Sequence, residues 1–156
     1  MNRLDTQPTG VGLLAATRDG AELRKAATGI RGLDEITRGG LPKGRPTLVC
    51  GGPGSGKTLL ALTFLVNGAV QFDEPGVLMT FEENGEELAN DVASLGFDLA
   101  SLIASQKLAV DYVRVERSEI EETGEYDLEG LFVRLDYAIR TVGAKRVVLD
   151  TIESLF

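Results

Sequence analysis

Eight consecutive residues, GGPGSGKT at positions 51–58, have the composition and spacing to grip phosphate. They fit the pattern G-x-x-x-x-G-K-[ST] in full. Gly51, Gly52, Pro53, Gly54, Ser55 and Gly56 form a loop whose glycines let successive backbone N–H groups converge on anionic oxygens with no Cβ in the way. A helix opening at Lys57 aims its N-terminus at the same anion. Lys57 is then expected to reach the β- and γ-phosphates of a nucleotide as a point charge, and the Thr58 hydroxyl to serve Mg²⁺. The pattern also has its required context, an apolar run before it and a helical pattern after it.

Three carboxylates further along could complete the chemistry. Glu82 and Glu83 follow the apolar run 77–81. If that run is a strand, they stand at the carboxyl edge of a sheet, where α/β folds bind ligands. A carboxylate there can orient a water for attack on a γ-phosphate and take its proton, and Glu82 is the first choice. The bland alternative is a solvated acidic turn leading to a helix cap at Asn84. Asp150 ends another apolar run, 145–150, and is expected to hold Mg²⁺ directly or through water. Its bland alternative is the cap of a helix in TIESLF.

The elements that must position these groups can be read from pattern. Residues 47–50, TLVC, predict a buried strand before the loop, with Cys50 as a small buried hydrophobe. A helix follows from 57 to about 72, and its apolar positions wrap nearly all round, which predicts burial on most sides. Strands are expected at 77–81, 107–115 and 145–150. Asn84 with Glu87 has capping-box spacing for a helix ending near Gly96, and Asp98 caps a short helix to 105. The acidic run 116–127 is expected to be a solvated loop, and Asp127 to cap a helix stopped by Gly143. Strand alternating with helix predicts an α/β fold with a mostly parallel sheet. Residues 1–25 lack periodicity and read as a flexible arm, leaving 26–156 as the domain.

Charge and composition narrow the function. The chain has a net charge of −8, split as +4 over residues 1–58 and −12 over 59–156. That balance argues against a general nucleic-acid binder, which needs a basic face. No histidine and a single cysteine argue against a zinc site and exclude an internal disulfide. No apolar run reaches 18 residues and no signal-peptide core opens the chain, so a cytoplasmic protein with no membrane span is expected.

The segments TGIRGLDEITRGGLPKGRPTLVCGGPGSGKTLLALTFLVNG, FDEPGVLMTFEEN, SLGFDLASLI and RVVLDTIESLF together resemble the KaiC family of RecA-like P-loop ATPases. FDEPGV and GGLPKGR look like the first of that family's two tandem ATPase domains. The resemblance implies a RecA-like fold, ATP and Mg²⁺ as ligands, and a homo-oligomeric, hexameric ring with clock or signalling partners. It implies catalysis by Glu82, Glu83 and Lys57, nucleotide contacts from residues 54–58 and Leu59, and Ser94 near the adenosine. In RecA-like sheets a strand that follows the Asp150 strand in sequence lies between it and the phosphate-loop strand. Nothing after TIESLF supplies it here, so a gap beside the loop, and instability or self-association through open edges, are expected. Two other readings use the same core: a DNA-processing ATPase of the RadA or RecA sort, and a non-catalytic nucleotide-binding scaffold.

Overall fold

A computed structural model of the chain describes residues 23–114 and 128–155. Most of the expected arm, the acidic run 116–127 and the Asp127 cap lie outside the described residues. The elements in order are β1 (Lys25–Ala26), α1 (Arg31–Ile36), β2 (Leu41–Pro42), α2 (Lys57–Gln71), β3 (Gly76–Thr80), α3 (Gly85–Ala93), α4 (Leu99–Ala104), β4 (Leu108–Tyr112), α5 (Leu128–Val142) and β5 (Arg146–Asp150), followed by a 3₁₀ turn, Ile152–Leu155.

Three strands form a parallel sheet in the order β4-β3-β5. Gly76 to Thr80 align with Leu108 to Tyr112 on one side and with Arg146 to Asp150 on the other. The central strand, β3, is buried at all five positions, as a two-faced parallel strand must be. Alternate side chains feed two cores. Leu78 joins Leu62 and Leu65 of α2, Leu88 and Val92 of α3, and Leu99 of α4 on one face. Met79 joins Phe81, Val113 and Leu131 of α5 on the other. The expected α/β class is present, with helices on both faces of a parallel sheet.

Local signals set the helix boundaries. The Asn84 side chain accepts from the N–H groups of Glu86 and Glu87, while the Glu87 carboxylate accepts from the N–H of Asn84, a full capping box. Asp98 accepts from the Ser101 N–H to start α4. Gly143 turns the chain after α5 with φ of +63°. The turn between β1 and α1 is fixed by Asp34, whose carboxylate accepts from the Thr28 N–H and hydroxyl and from the Gly29 N–H. Burial pushes that carboxyl up, but these bonds and the Arg146 charge outweigh it and hold it below its ordinary range.

Three expectations are corrected. Residues 47–50 are not a strand: Leu48 is 72% exposed, Val49 is 47% exposed, and no strand pairs with them among the described residues. Apolar β-forming residues cannot make a strand alone, because their backbone N–H and C=O groups need a neighbour. Cys50 is exposed for the same reason. The α2 helix is also less enclosed than its composition suggests. Its stripe Leu62, Leu65, Val66 and Ala69 is buried, but Leu59 and Val70 face outward because only one side meets the sheet.

Candidate functional site

The direction of α2 decides where the 51–58 loop is carried. Residues 72–75 connect its C-terminus directly to the start of β3, and α2 packs along β3 and β5. A Cβ on Gly68 would fall on the Arg146 side chain at the start of β5, so the C-terminal half of α2 lies beside the amino ends of the strands. Lys57, eleven residues earlier, is about 16 Å along the helix in the opposite direction. That rise matches the span of a five-residue strand, so Lys57 and Thr58 stand level with the carboxyl ends of β3 and β5.

The loop itself is open. A Cβ built on Gly52, Gly54 or Gly56 would meet nothing within 4 Å. Gly54 and Gly56 have φ of +73° and +87°, the left-handed region that glycine tolerates. Gly51 is closer to a neighbour, the Ser55 hydroxyl, and the Ser55 N–H donates to the Gly52 carbonyl at 3.2 Å. Pro53 is exposed on the loop. The Lys57 ammonium folds back over it, donating to the carbonyls of Gly51 at 2.7 Å and Gly52 at 3.2 Å. The α2 helix has no side-chain cap and no acidic residue in its first turn, so its N–H groups and dipole face an anion unopposed. Thr58 is half-buried in that turn, and Leu59 is exposed beside it.

The carboxylates gather at the same edge. Register puts Thr80 opposite Asp150, and the Phe81 N–H donates to the Asp150 carbonyl at 3.2 Å, so the turns after β3 and β5 leave the sheet side by side. The Thr80 hydroxyl, itself buried, donates to the Glu83 carbonyl at 3.0 Å and shapes the Glu82–Glu83 turn. Glu82 is exposed, and Glu83 and Asp150 are half-buried. After Asp150, Thr151 adopts φ of +33°, an unusual conformation for a β-branched residue. The chain folds back there, and the Ser154 hydroxyl donates to the Glu82 carboxylate at 3.2 Å. Asp150 therefore does not cap a regular α-helix; a 3₁₀ turn follows it.

Ser94 is not brought to this edge. It is the C-cap of α3, whose first residue adjoins the glutamate turn, so nine residues of helix, about 14 Å, separate them. A groove of about 640 Å³ between α3 and α4 is walled by Ala89, Ala100, Ile103 and Ala104 and offers little to an anion. Among the described residues no group of three or more His, Cys, Asp or Glu side chains could hold a metal by itself. Thr58 and Asp150 each carry an oxygen donor, of the hard kind that Mg²⁺ takes alongside phosphate and water.

Sequence reading missed the anchor of this arrangement. Arg146 has a side chain only 2% exposed and pairs with Glu74 at 2.7 Å. It also donates to the Phe64 carbonyl at 2.8 Å and lies over the Phe64 and Phe72 rings at 4.4 and 5.1 Å. Burial pushes the Glu74 carboxyl up, but the hydrogen bonds and charges of Arg146 and Lys43 hold it below its ordinary range. Through Glu74, Arg146 fastens β5, which ends in Asp150, to the connection after α2, and through the Phe64 carbonyl to α2 itself, which begins with Lys57.

Comparison with known proteins places these features in a lineage. The family model ATPase: KaiC matches residues 26–156. The chain is 61% identical over 134 residues to the circadian clock protein KaiC2 of Synechocystis sp., covering 86% of this chain and 24% of that protein. It is 43% identical over 135 residues to the circadian clock oscillator protein KaiC of Prochlorococcus marinus, covering 86% and 26%. The KaiC protein of Synechococcus elongatus is 43% identical over 134 residues, with 86% and 26% covered. The chain thus spans about a quarter of the length of the curated relatives it matches.

Proposed function

This chain belongs to the KaiC ATPase family, and from that premise we propose that it binds ATP with Mg²⁺ at the 51–58 loop and, within its whole protein, hydrolyses ATP slowly. The reading is supported by the register that sets Asp150 beside the Glu82–Glu83 turn, with an α2 direction that carries Lys57 and Thr58 toward the same end of the sheet. Open glycines and uncapped α2 N–H groups bind the phosphate chain. Lys57 leaves the carbonyls of Gly51 and Gly52 and neutralises the β- and γ-oxygens. Leu59, exposed after Thr58, flanks the nucleotide, and Ser94, at the C-terminal end of α3, contributes near the adenosine.

Thr58 and Asp150 are the residues that would hold Mg²⁺, which when bound offsets the charge of the phosphates. Glu82 orients the attacking water and accepts its proton, with Glu83 as the second carboxylate. No helix among the described residues is long and apolar enough to cross a membrane, and we place the protein in the cytoplasm. The names of its relatives speak of circadian clocks. We extend to the whole protein a homo-oligomeric, hexameric ring with clock or signalling partners rather than nucleic acid.

Two measurements test this. Calorimetric titration with ATP and Mg²⁺ should show binding by the chain that Lys57→Ala abolishes; unchanged affinity would overturn the phosphate assignment. Phosphate release by the whole protein should fall to background in Glu82→Gln plus Glu83→Gln. Equal turnover in wild type and double variant would refute hydrolysis at this edge and leave a binding scaffold.

A further inference from the structure

We propose that Ser154 is a positioning residue for the Glu82 carboxylate. The proposal rests on the assignment of Glu82 as the water-orienting base. Its basis is a single contact made by two turns 72 residues apart in sequence: the Ser154 hydroxyl donates to Glu82 Oε1 at 3.2 Å.

Glu82 needs such a restraint. It is exposed, and a glutamate side chain in water visits many rotamers. A base that aligns a water must be held within hydrogen-bond reach of one place. The backbone beneath Glu82 is already fixed, by the buried Thr80 hydroxyl on one side and the Phe81 N–H to Asp150 carbonyl bond on the other. What remains loose is the side chain, and Ser154 is the group placed to hold it.

The turn that carries Ser154 is built for that reach. Thr151, in its left-handed conformation, reverses the chain straight after Asp150. The Ser154 N–H closes the turn on the Thr151 carbonyl at 3.0 Å. Ile152 packs against the core cluster that includes Met79 and Phe81, the residue before Glu82. The same short segment therefore bears the candidate Mg²⁺ ligand Asp150 at one end and the Glu82 restraint at the other, which fixes metal ligand and base relative to each other.

The test combines kinetics with a direct probe of the contact. Ser154→Ala in the whole protein should lower kcat about three- to ten-fold with nucleotide affinity unchanged, and Ser154→Thr should restore it. In a Glu82→Gln background Ser154→Ala should have no further effect on kcat. In parallel, the Glu82 carboxyl ¹³C resonance of the full chain, assigned by its loss in Glu82→Gln, should move in Ser154→Ala and return in Ser154→Thr. A resonance unmoved by Ser154→Ala, or a kcat loss that persists undiminished in Glu82→Gln, overturns the proposal. Turnover that ignores Glu82→Gln refutes the hydrolytic assignment instead, and the resonance then still decides whether Ser154 holds that side chain.

Discussion

Removing the carboxylate of Glu74 should do far more harm than its half-exposed position near the start of β3 suggests. Glu74→Ala takes away the partner of an Arg146 guanidinium that is only 2% exposed, with its Nη2 at 2.7 Å from the lost oxygen. A buried cation stripped of its partner costs about 3–5 kcal/mol. Two features lower that figure. Arg146 keeps its bond to the Phe64 carbonyl and its stacking on Phe64 and Phe72. Glu74 itself is 22% exposed, so part of its charge was already hydrated. A loss of about 2–4 kcal/mol is expected, equivalent to a fall in Tm of about 10 °C. The same network contains its own control. Lys43 also pairs with Glu74, at 3.2 Å, but is 45% exposed, and Lys43→Ala should cost less than about 1 kcal/mol. The assay is urea unfolding followed by circular dichroism, repeated in about 0.5 M salt, which should not screen the buried pair. Glu74→Ala should cost little in an Arg146→Met background, where no cation is stranded. A loss below about 1 kcal/mol, or the same loss with Arg146 already replaced, would refute the reasoning.

Other expectations follow from single contacts. Gly40 has φ of +119° and an added Cβ would collide with the Ala26 carbonyl, so Gly40→Ala should cost about 2–4 kcal/mol, whereas Gly32→Ala, with open space around a helical glycine, should stabilise by about 0.5–1 kcal/mol; thermal melts compare the signs. Asp34 titrates below its unfolded value, so its contribution is complete above about pH 4 and is lost as pH falls through the folded value. Urea midpoints should therefore drop more steeply between about pH 4 and pH 2 for wild type than for Asp34→Asn, and parallel curves would contradict the assignment. Among the described residues no strand pairs with the outer edge of β5, where the Val147 and Leu149 side chains are 41% and 38% exposed. Sedimentation should detect concentration-dependent association of the chain that Val147→Lys weakens; a monomer at all concentrations would count against it.

What was legible in the sequence was local. The Asn84–Glu87 box, the Asp98 cap and the Gly143 stop each act within a few residues: the capping side chains find their partners in the same short stretch, and the glycine turns its own backbone. The central strand was legible because five buried apolar or small residues in a row suit only a two-faced position. Pairings across the chain were not legible. Arg146 reads as the polar flank of a strand, yet it is buried because Glu74, 72 residues away, receives it. Ser154 and Glu82 are separated by the same distance in sequence. The segment 47–50 failed in the opposite sense: its side chains favour a strand, but strandedness belongs to a pair, and no partner stands beside it among the described residues.

That unpaired segment has a thermodynamic consequence. The phosphate loop is seated firmly at one end, where α2 is fixed to the sheet, and only loosely at the other, where residues 47–50 run exposed. A nucleotide that organises the loop must also organise its entry, and so bears an ordering cost that a pre-paired segment would remove. On the proposed nucleotide binding, a strand that hydrogen-bonds to 47–50 should therefore tighten it. By linkage, nucleotide must tighten the hold on that strand by the same factor. Occupancy of the loop and completion of the sheet become two readings of one equilibrium, so a change in nucleotide state can be felt as a change in what the edge will bind.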